Sequence, residues 1–155
     1  MTRLRTLCPQ AAAIPVRDGR ICMVTSRGGN GLVVPKGCVD HGRTAEQIAL
    51  QEAWEEAGLI GLLRSKPLGS YRYEKAGRQF RVVMYFMDVT TVVKAWPECH
   101  WRARHWLFPG EALADVRQPG LRRLLRKLLA TALRESSVTS GLTLRYGHFL
   151  KGKTR

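Results

Sequence analysis

A strand that is apolar on both faces cannot lie at a solvent-facing surface, and residues 80–93 read as one. Val82, Met84 and Phe86 alternate with Val83, Tyr85 and Met87, the pattern of a central strand covered from both sides. Other strand signals surround it. Gln10–Val16 and Arg20–Ser26 are joined by Asp18-Gly19, a strong hairpin signal. Leu32–Val34 is a short apolar run ended by Pro35-Lys36-Gly37, Pro67–Glu74 leads into the turn Lys75-Ala76-Gly77, and His105–Phe108 is a further short strand. Helical segments are expected at Thr44–Ala57, Gly110–Val116 and Pro119–Arg134. The last of these carries Leu121, Leu124, Leu125, Leu128, Leu129 and Ala132 on one side. This order specifies an α/β domain with a mixed sheet and helices packed on it. At 155 residues the chain reads as one domain over 1–155, ending in a basic tail, 137–155, with no assignable element.

The segment 44–58 is the best-delimited helix. Thr44 and Gln47 have capping-box spacing, and Gly58 is placed to end the helix in a left-handed conformation. Leu50, Ala53, Trp54 and Ala57 form an apolar face at 100° per residue. Glu52, Glu55 and Glu56 fall at i, i+3 and i+4 on another face. Like charges at this spacing repel by a few tenths of a kcal/mol per pair, and a divalent cation would relieve the repulsion. Mg²⁺ and Mn²⁺ favour oxygen ligands. Taken alone, the charge pattern reads as a solvated acidic face.

The flanking residues change that reading. From Gly37 to Leu59, the positions Gly37, Glu52, Ala53, Glu55, Glu56, Gly58 and Leu59 stand in the spacing of the Nudix box. The segment resembles that family over a loop–helix–loop of 23 residues. The preceding hairpin, Pro35-Lys36-Gly37, Trp96-Pro97-Glu98 and Arg104-His105-Trp106 are also similar to it. They are most similar to members acting on diphosphoinositol and dinucleoside polyphosphates. The resemblance, over about residues 10–132, implies the Nudix fold, an α/β/α sandwich with a mixed sheet. It implies a metal-dependent pyrophosphohydrolase that cleaves a phosphoanhydride bond with Mg²⁺ or Mn²⁺. Glu52, Glu55 and Glu56 would be the catalytic metal ligands, together with the Gly37 carbonyl, or Glu52 could instead be the general base. Two positions depart from the box. Arg43 stands where the family has Glu, and Gln51 where it has Arg, a residue that can orient the carboxylates. Gln51 can still donate hydrogen bonds to a neighbouring carboxylate, whereas Arg43 could compete with a metal ion or hold substrate phosphate. These departures keep open an alternative, a Nudix-fold sensor that binds a nucleotide or RNA without turnover.

The resemblance also implies phosphate contacts from Arg27 and Arg104. Lys36 beside the metal loop, Arg43 and Arg117 add cations that suit phosphate. The formal net charge of +14 favours an anionic partner. A small phosphate-bearing substrate is expected, with RNA possible but not favoured. Asp40 and His41 read as surface loop residues, and Tyr71, Tyr73 and Tyr85 as sheet packing, with base stacking as the alternative. Cys8, Cys22, Cys38 and Cys99 show no metal-ligand spacing and read as reduced thiols. No signal peptide and no apolar run of membrane-spanning length is present. A soluble cytoplasmic protein is expected, as a monomer or homodimer.

Overall fold

A computed structural model of the chain describes residues 6–29 and 31–138, with side chains through residue 130. The elements in order are β1 (Leu7–Arg17), β2 (Arg20–Thr25), β3 (Leu32–Val33), β4 (Lys36–Cys38), α1 (Ala45–Ala57), β5 (Leu59–Leu63), β6 (Gly69–Lys75), β7 (Arg78–Val92), β8 (Arg104–Leu107), α2 (Pro109–Asp115) and α3 (Pro119–Val138). Strand β7 is the central strand its two apolar faces require. It runs parallel to β1 from Leu7↔Gln79 to Val16↔Asp88, and antiparallel to β6 and β5 along its other edge. The mixed eight-stranded sheet has α1 on one face and α2 with α3 on the other. Two cores result. Ile14, Met23, Val82, Met84 and Phe86 pack against Leu121, Leu124 and Leu125. Ala11, Ala13, Val24, Tyr85 and Met87 pack against α1.

Both hairpin turns take the left-handed pair of the type I′ geometry that matches strand twist. Asp18 and Gly19 have φ of 50° and 74°, and Ala76 and Gly77 have 51° and 73°. Thr44 caps α1 in a full capping box with Gln47, and Gly58 closes it at φ 63°.

Several expectations need correction. The buried residues of α1 are Ile48, Ala49, Ala53, Glu56 and Ala57, while Trp54 is 37% exposed and Leu50 is half-buried. Three of those buried residues are alanines at i, i+4 and i+8, and they face Ala11 and Ala13 on β1. Small residues on both sides let helix and sheet approach closely, a contact that a count of large apolar residues misses. The run from Leu32 does end before Pro35, as expected, but residues 36–38 then form a further short strand, paired to β1. Strand β5 was not foreseen, because Ile60 and Leu62 on its outer face are 47% and 70% exposed and hide its alternation. Most of the basic tail, residues 139–155, lies outside the described residues. Among the described residues no helix is long and apolar enough to cross a membrane.

Ala76 occupies a left-handed position that costs a side chain with a Cβ on the order of 1 kcal/mol. Ala76→Asn, which completes an Asn-Gly turn and whose side chain can hydrogen-bond locally in this conformation, is expected to raise stability by a part of that amount, about 0.5 kcal/mol. Urea unfolding midpoints would measure this, and an unchanged or lower midpoint would count against the turn geometry.

Candidate active site

The last turn of α1 leaves backbone carbonyls without intrahelical partners, and residues 93–104 satisfy them. Glu98 donates its N–H to the Glu55 carbonyl at 3.1 Å. The Trp96 indole donates to the Glu56 carbonyl at 3.0 Å, and Arg104 Nη1 to the carbonyls of Ala57 and Val93 at 3.1 and 2.7 Å. A cation at the negative end of a helix is favourable, and Arg104 also lies 4.1 Å over the Trp96 ring. This docking carries Glu98 and Arg102 to the carboxylates of α1.

Arg102 is the central cation. It is 7% exposed, as is Glu56. Its Nη2 lies 3.1 Å from Glu56 Oε1, its Nε donates to Glu98, and its Nη1 donates to the Thr25 carbonyl at 2.7 Å. Gln51 Nε2 donates to Glu55 Oε1 at 2.7 Å. The box position without an arginine therefore still orients one glutamate by hydrogen bonding, and an arginine from elsewhere in the chain orients another. Opposite them runs β4. A Cβ on Gly37 would fall on the Glu52 carboxyl, so glycine lets this strand pass against that side chain without displacing it.

These groups line one cavity of about 680 Å³, whose walls include Glu52, Glu55, Glu56, Glu98, Gly37 and Arg102. Burial, then Glu55 and Glu98, push Glu52 up to about 7. Burial pushes Glu56 up to about 8 against the pull of Arg102. Lys36, also in the lining, lies 5.6 Å over the Tyr73 ring, and burial lowers its pKa. Arg27, Lys75 and Arg78 add cations to the lining.

The donor set fits a hard divalent cation. Among the described residues no three His, Cys, Asp or Glu side chains converge into a ready-made cage. Mg²⁺ commonly takes one or two carboxylates and completes its shell with water and phosphate oxygens. Packed carboxylates with raised pKa values are what such an ion would stabilise.

The other sequence candidates separate. Arg27 and Lys36 line the cavity; Arg27 lies 3.9 Å from Glu98 with its side chain 77% exposed. Arg43 does not line it. Its guanidinium is held by Asp40, a nearby carboxylate it reaches within the same loop, and Arg43 holds the Asp40 carboxyl below its usual range. Arg104 does not line it either, because the open end of α1 and the Trp96 ring occupy its guanidinium. Tyr71 and Tyr73 line the cavity, Tyr73 stacked on Phe80 at 4.9 Å between centroids. Tyr85 packs on the opposite face, with α1. Arg102, Lys75 and Arg78 were not anticipated. The one hint of Arg102 is its i+4 spacing from Glu98.

The profile of the NUDIX domain family matches residues 7–128. The chain is 32% identical over 114 residues to Nudix hydrolase 16, mitochondrial, of Arabidopsis thaliana, covering 68% of this chain and 63% of that one. It is 33% identical over 117 residues to Nudix hydrolase 12, mitochondrial, of the same plant, covering 70% and 58%. The chain thus spans about three-fifths of the length of these relatives. Among solved structures, the C. elegans Ap4A hydrolase superposes with a TM-score of 0.68 at 20% identity, over 81% of this chain and 98% of that one. Glycine strand, capped helix and carboxylate cluster all fall within the matched span, and this chain belongs to the NUDIX domain family.

Proposed function

We propose that this chain is a Mg²⁺- or Mn²⁺-dependent hydrolase of phosphoanhydride bonds. Its proposed substrate carries more phosphate than a single diphosphate, as diphosphoinositol polyphosphates and dinucleoside polyphosphates do. One observation carries the reading: a single cavity is lined by Glu52, Glu55 and Glu56 and also by Lys36, Arg27, Lys75 and Arg78. A diphosphate bound in that cavity would meet both cations and metal-binding oxygens. A second groove, of about 760 Å³, shares Tyr71, Tyr73 and Gln118 with the cavity and adds Arg72, Arg81 and Arg123. Arg72 and Arg81 lie directly opposite each other across β6 and β7. Like charges so placed are destabilising, and a further phosphate would relieve the repulsion.

Glu52, Glu55 and Glu56, with the Gly37 carbonyl, would hold the ion, which when bound supplies Lewis acidity and neutralises phosphate oxygens. Glu52, on the cavity lining beside the other two carboxyls, would serve either as one of these ligands or instead as acceptor of the proton from the attacking water. Arg102 positions Glu56, and Lys36 and Arg27 hold phosphate oxygens. The sensor alternative has no observation in its favour. Gln51 supports Glu55, and Arg43 is turned to Asp40, so neither departure from the box fills the cavity. A cytoplasmic location, as monomer or homodimer, remains part of the proposal, beside relatives whose names place them in mitochondria.

The primary test is phosphate or nucleotide release from dinucleoside polyphosphates, diphosphoinositol polyphosphates, nucleoside triphosphates and ADP-ribose, with each metal at several pH values. Binding without release across the panel would falsify the enzyme reading. Glu52→Gln is expected to lower kcat by about 10²–10⁴-fold. Arg27→Ala should raise KM, whereas Arg104→Ala should lower thermal stability and leave KM unchanged. A KM effect confined to Arg104→Ala would reverse the assignment.

The carboxyls of Glu52 and Glu56 lie at about 7 and 8 in the folded protein, against an ordinary value of 4.5. The metal-free folded chain therefore holds more protons than the unfolded chain between those values. The stability these groups contribute must fall as pH rises from about 5 to 8. Metal competes with protons for the same oxygens. Calorimetry is expected to show a Tm that declines over this range without metal and a Mg²⁺-induced rise that is larger at pH 8 than at pH 5. A Mg²⁺ effect equal at both pH values would contradict the assignment of these two carboxyls.

A further inference from the structure

Cys8 and Cys38 come from paired antiparallel strands. Gln10 lies opposite Cys38 across β1 and β4, so Cys8, two residues along β1, is its diagonal neighbour on the same face. The Val39 N–H donates to the Pro9 carbonyl at 2.9 Å and carries the pairing on between them. The sulfurs are 3.6 Å apart, although thirty residues separate them in the chain. A disulfide has its sulfurs at about 2.05 Å, so the pair needs only a short approach. The chain can supply it, because Cys38 is exposed and ends β4. The other two thiols differ: Cys22 is fully buried, and Cys99 is exposed with no sulfur partner among the described residues.

We propose that Cys8 and Cys38 form an oxidation site, closing as a reversible disulfide in the wall of the cavity. Each thiol gives up one hydrogen and an S–S bond forms. The two electrons and two protons pass to an oxidant, either a peroxide or a low-molecular-weight disulfide. Hydrogen peroxide is reduced to two waters. Its O–O bond breaks as one oxygen joins the exposed Cys38 sulfur as a sulfenic acid, and Cys8 then displaces that oxygen as the second water. A small disulfide instead exchanges through a mixed disulfide and leaves as two thiols.

The site is coupled to the cavity through three contacts. Cys38 lines the cavity, it follows Gly37, beside which the Glu52 carboxyl rests, and its sulfur accepts from Gln10 Nε2 at 3.6 Å. Gln10 in turn accepts from the Tyr73 hydroxyl at 2.6 Å. Drawing Cys38 toward Cys8 shifts Gly37 relative to Glu52 and releases Gln10. Oxidation therefore slows the cavity's chemistry, a consequence that rests on the proposed hydrolase activity, whereas formation of the bond does not.

The test treats the full chain separately with hydrogen peroxide and with glutathione disulfide, alkylates the remaining thiols and maps peptides by mass. The expected result is a Cys8–Cys38 linked pair with the loss of two hydrogens, reversed by dithiothreitol, while Cys99 stays alkylatable. Cys8→Ser and Cys38→Ser should each abolish the link in a protein whose circular dichroism is unchanged. Turnover of the oxidised wild type should fall several-fold and recover on reduction, and the loss on oxidation should vanish in Cys38→Ser, whereas Cys8→Ser should accumulate Cys38 as an unresolved sulfenic acid or glutathione adduct. Failure of the link under both oxidants, or Cys38 capped by glutathione without resolution by Cys8, overturns the site. A link that leaves turnover unchanged overturns the coupling to the cavity. Absence of turnover in the reduced protein counts against the hydrolase reading and leaves the mass result to stand by itself.

Discussion

Arg102 sits inside the protein with a carboxylate on either side, Glu56 and Glu98, and a backbone carbonyl at its third edge. Removing one member of a buried ion pair leaves an uncompensated charge, at a cost of roughly 3–5 kcal/mol. The carboxylate face of α1 can be buried against the sheet only because this guanidinium is there. Its Cζ also lies 4.2 Å over the Trp101 ring, so the cation is fixed by stacking as well as by hydrogen bonds. With the fork already engaged, Glu52 faces the cavity beside Glu55, and burial with that like charge raises its proton affinity, a repulsion a hard cation would relieve.

The arginine reaches that position through a second, plainer requirement. The open end of α1 must find donors, and the segment 93–104 provides them from a tryptophan, a backbone N–H and Arg104. Gly58 takes part in the same closure. A Cβ there would fall 2.8 Å from Trp96, and its positive φ lets the chain turn into β5 at once. A helix terminus that had to be satisfied thereby brings Glu98 and Arg102 to the carboxyl cluster of α1. Arg104, which a sequence comparison would assign to substrate, is consumed by that structural task.

Close approach is the third constraint. Ala49, Ala53 and Ala57 on α1 meet Ala11 and Ala13 on β1, and β4 hydrogen-bonds to the same strand. The helix therefore lies near enough to β4 for Glu52 to rest against Gly37. Larger residues at the alanine positions would lift the helix and separate the carboxylates from the strand.

Local rules determined much of this from the sequence alone. The capped limits of α1, the Asp18-Gly19 hairpin, the central character of β7 and the placement of Glu52, Glu55 and Glu56 on one helix all follow from spacing and turn chemistry acting over a few residues. The family resemblance rested chiefly on the span 37–59, with shorter matches at the hairpin before it and at 96–98 and 104–106 after it. What depended on the tertiary structure was which cation meets which carboxylate. Arg27, Arg43, Arg102 and Arg104 are chemically alike in the sequence. Their roles diverge because one borders the cavity, one has Asp40 within reach, one is enclosed by two glutamates, and one is drawn to a helix end. Pairing energies depend on distance and burial, quantities that exist only once residues remote in the chain have been brought together.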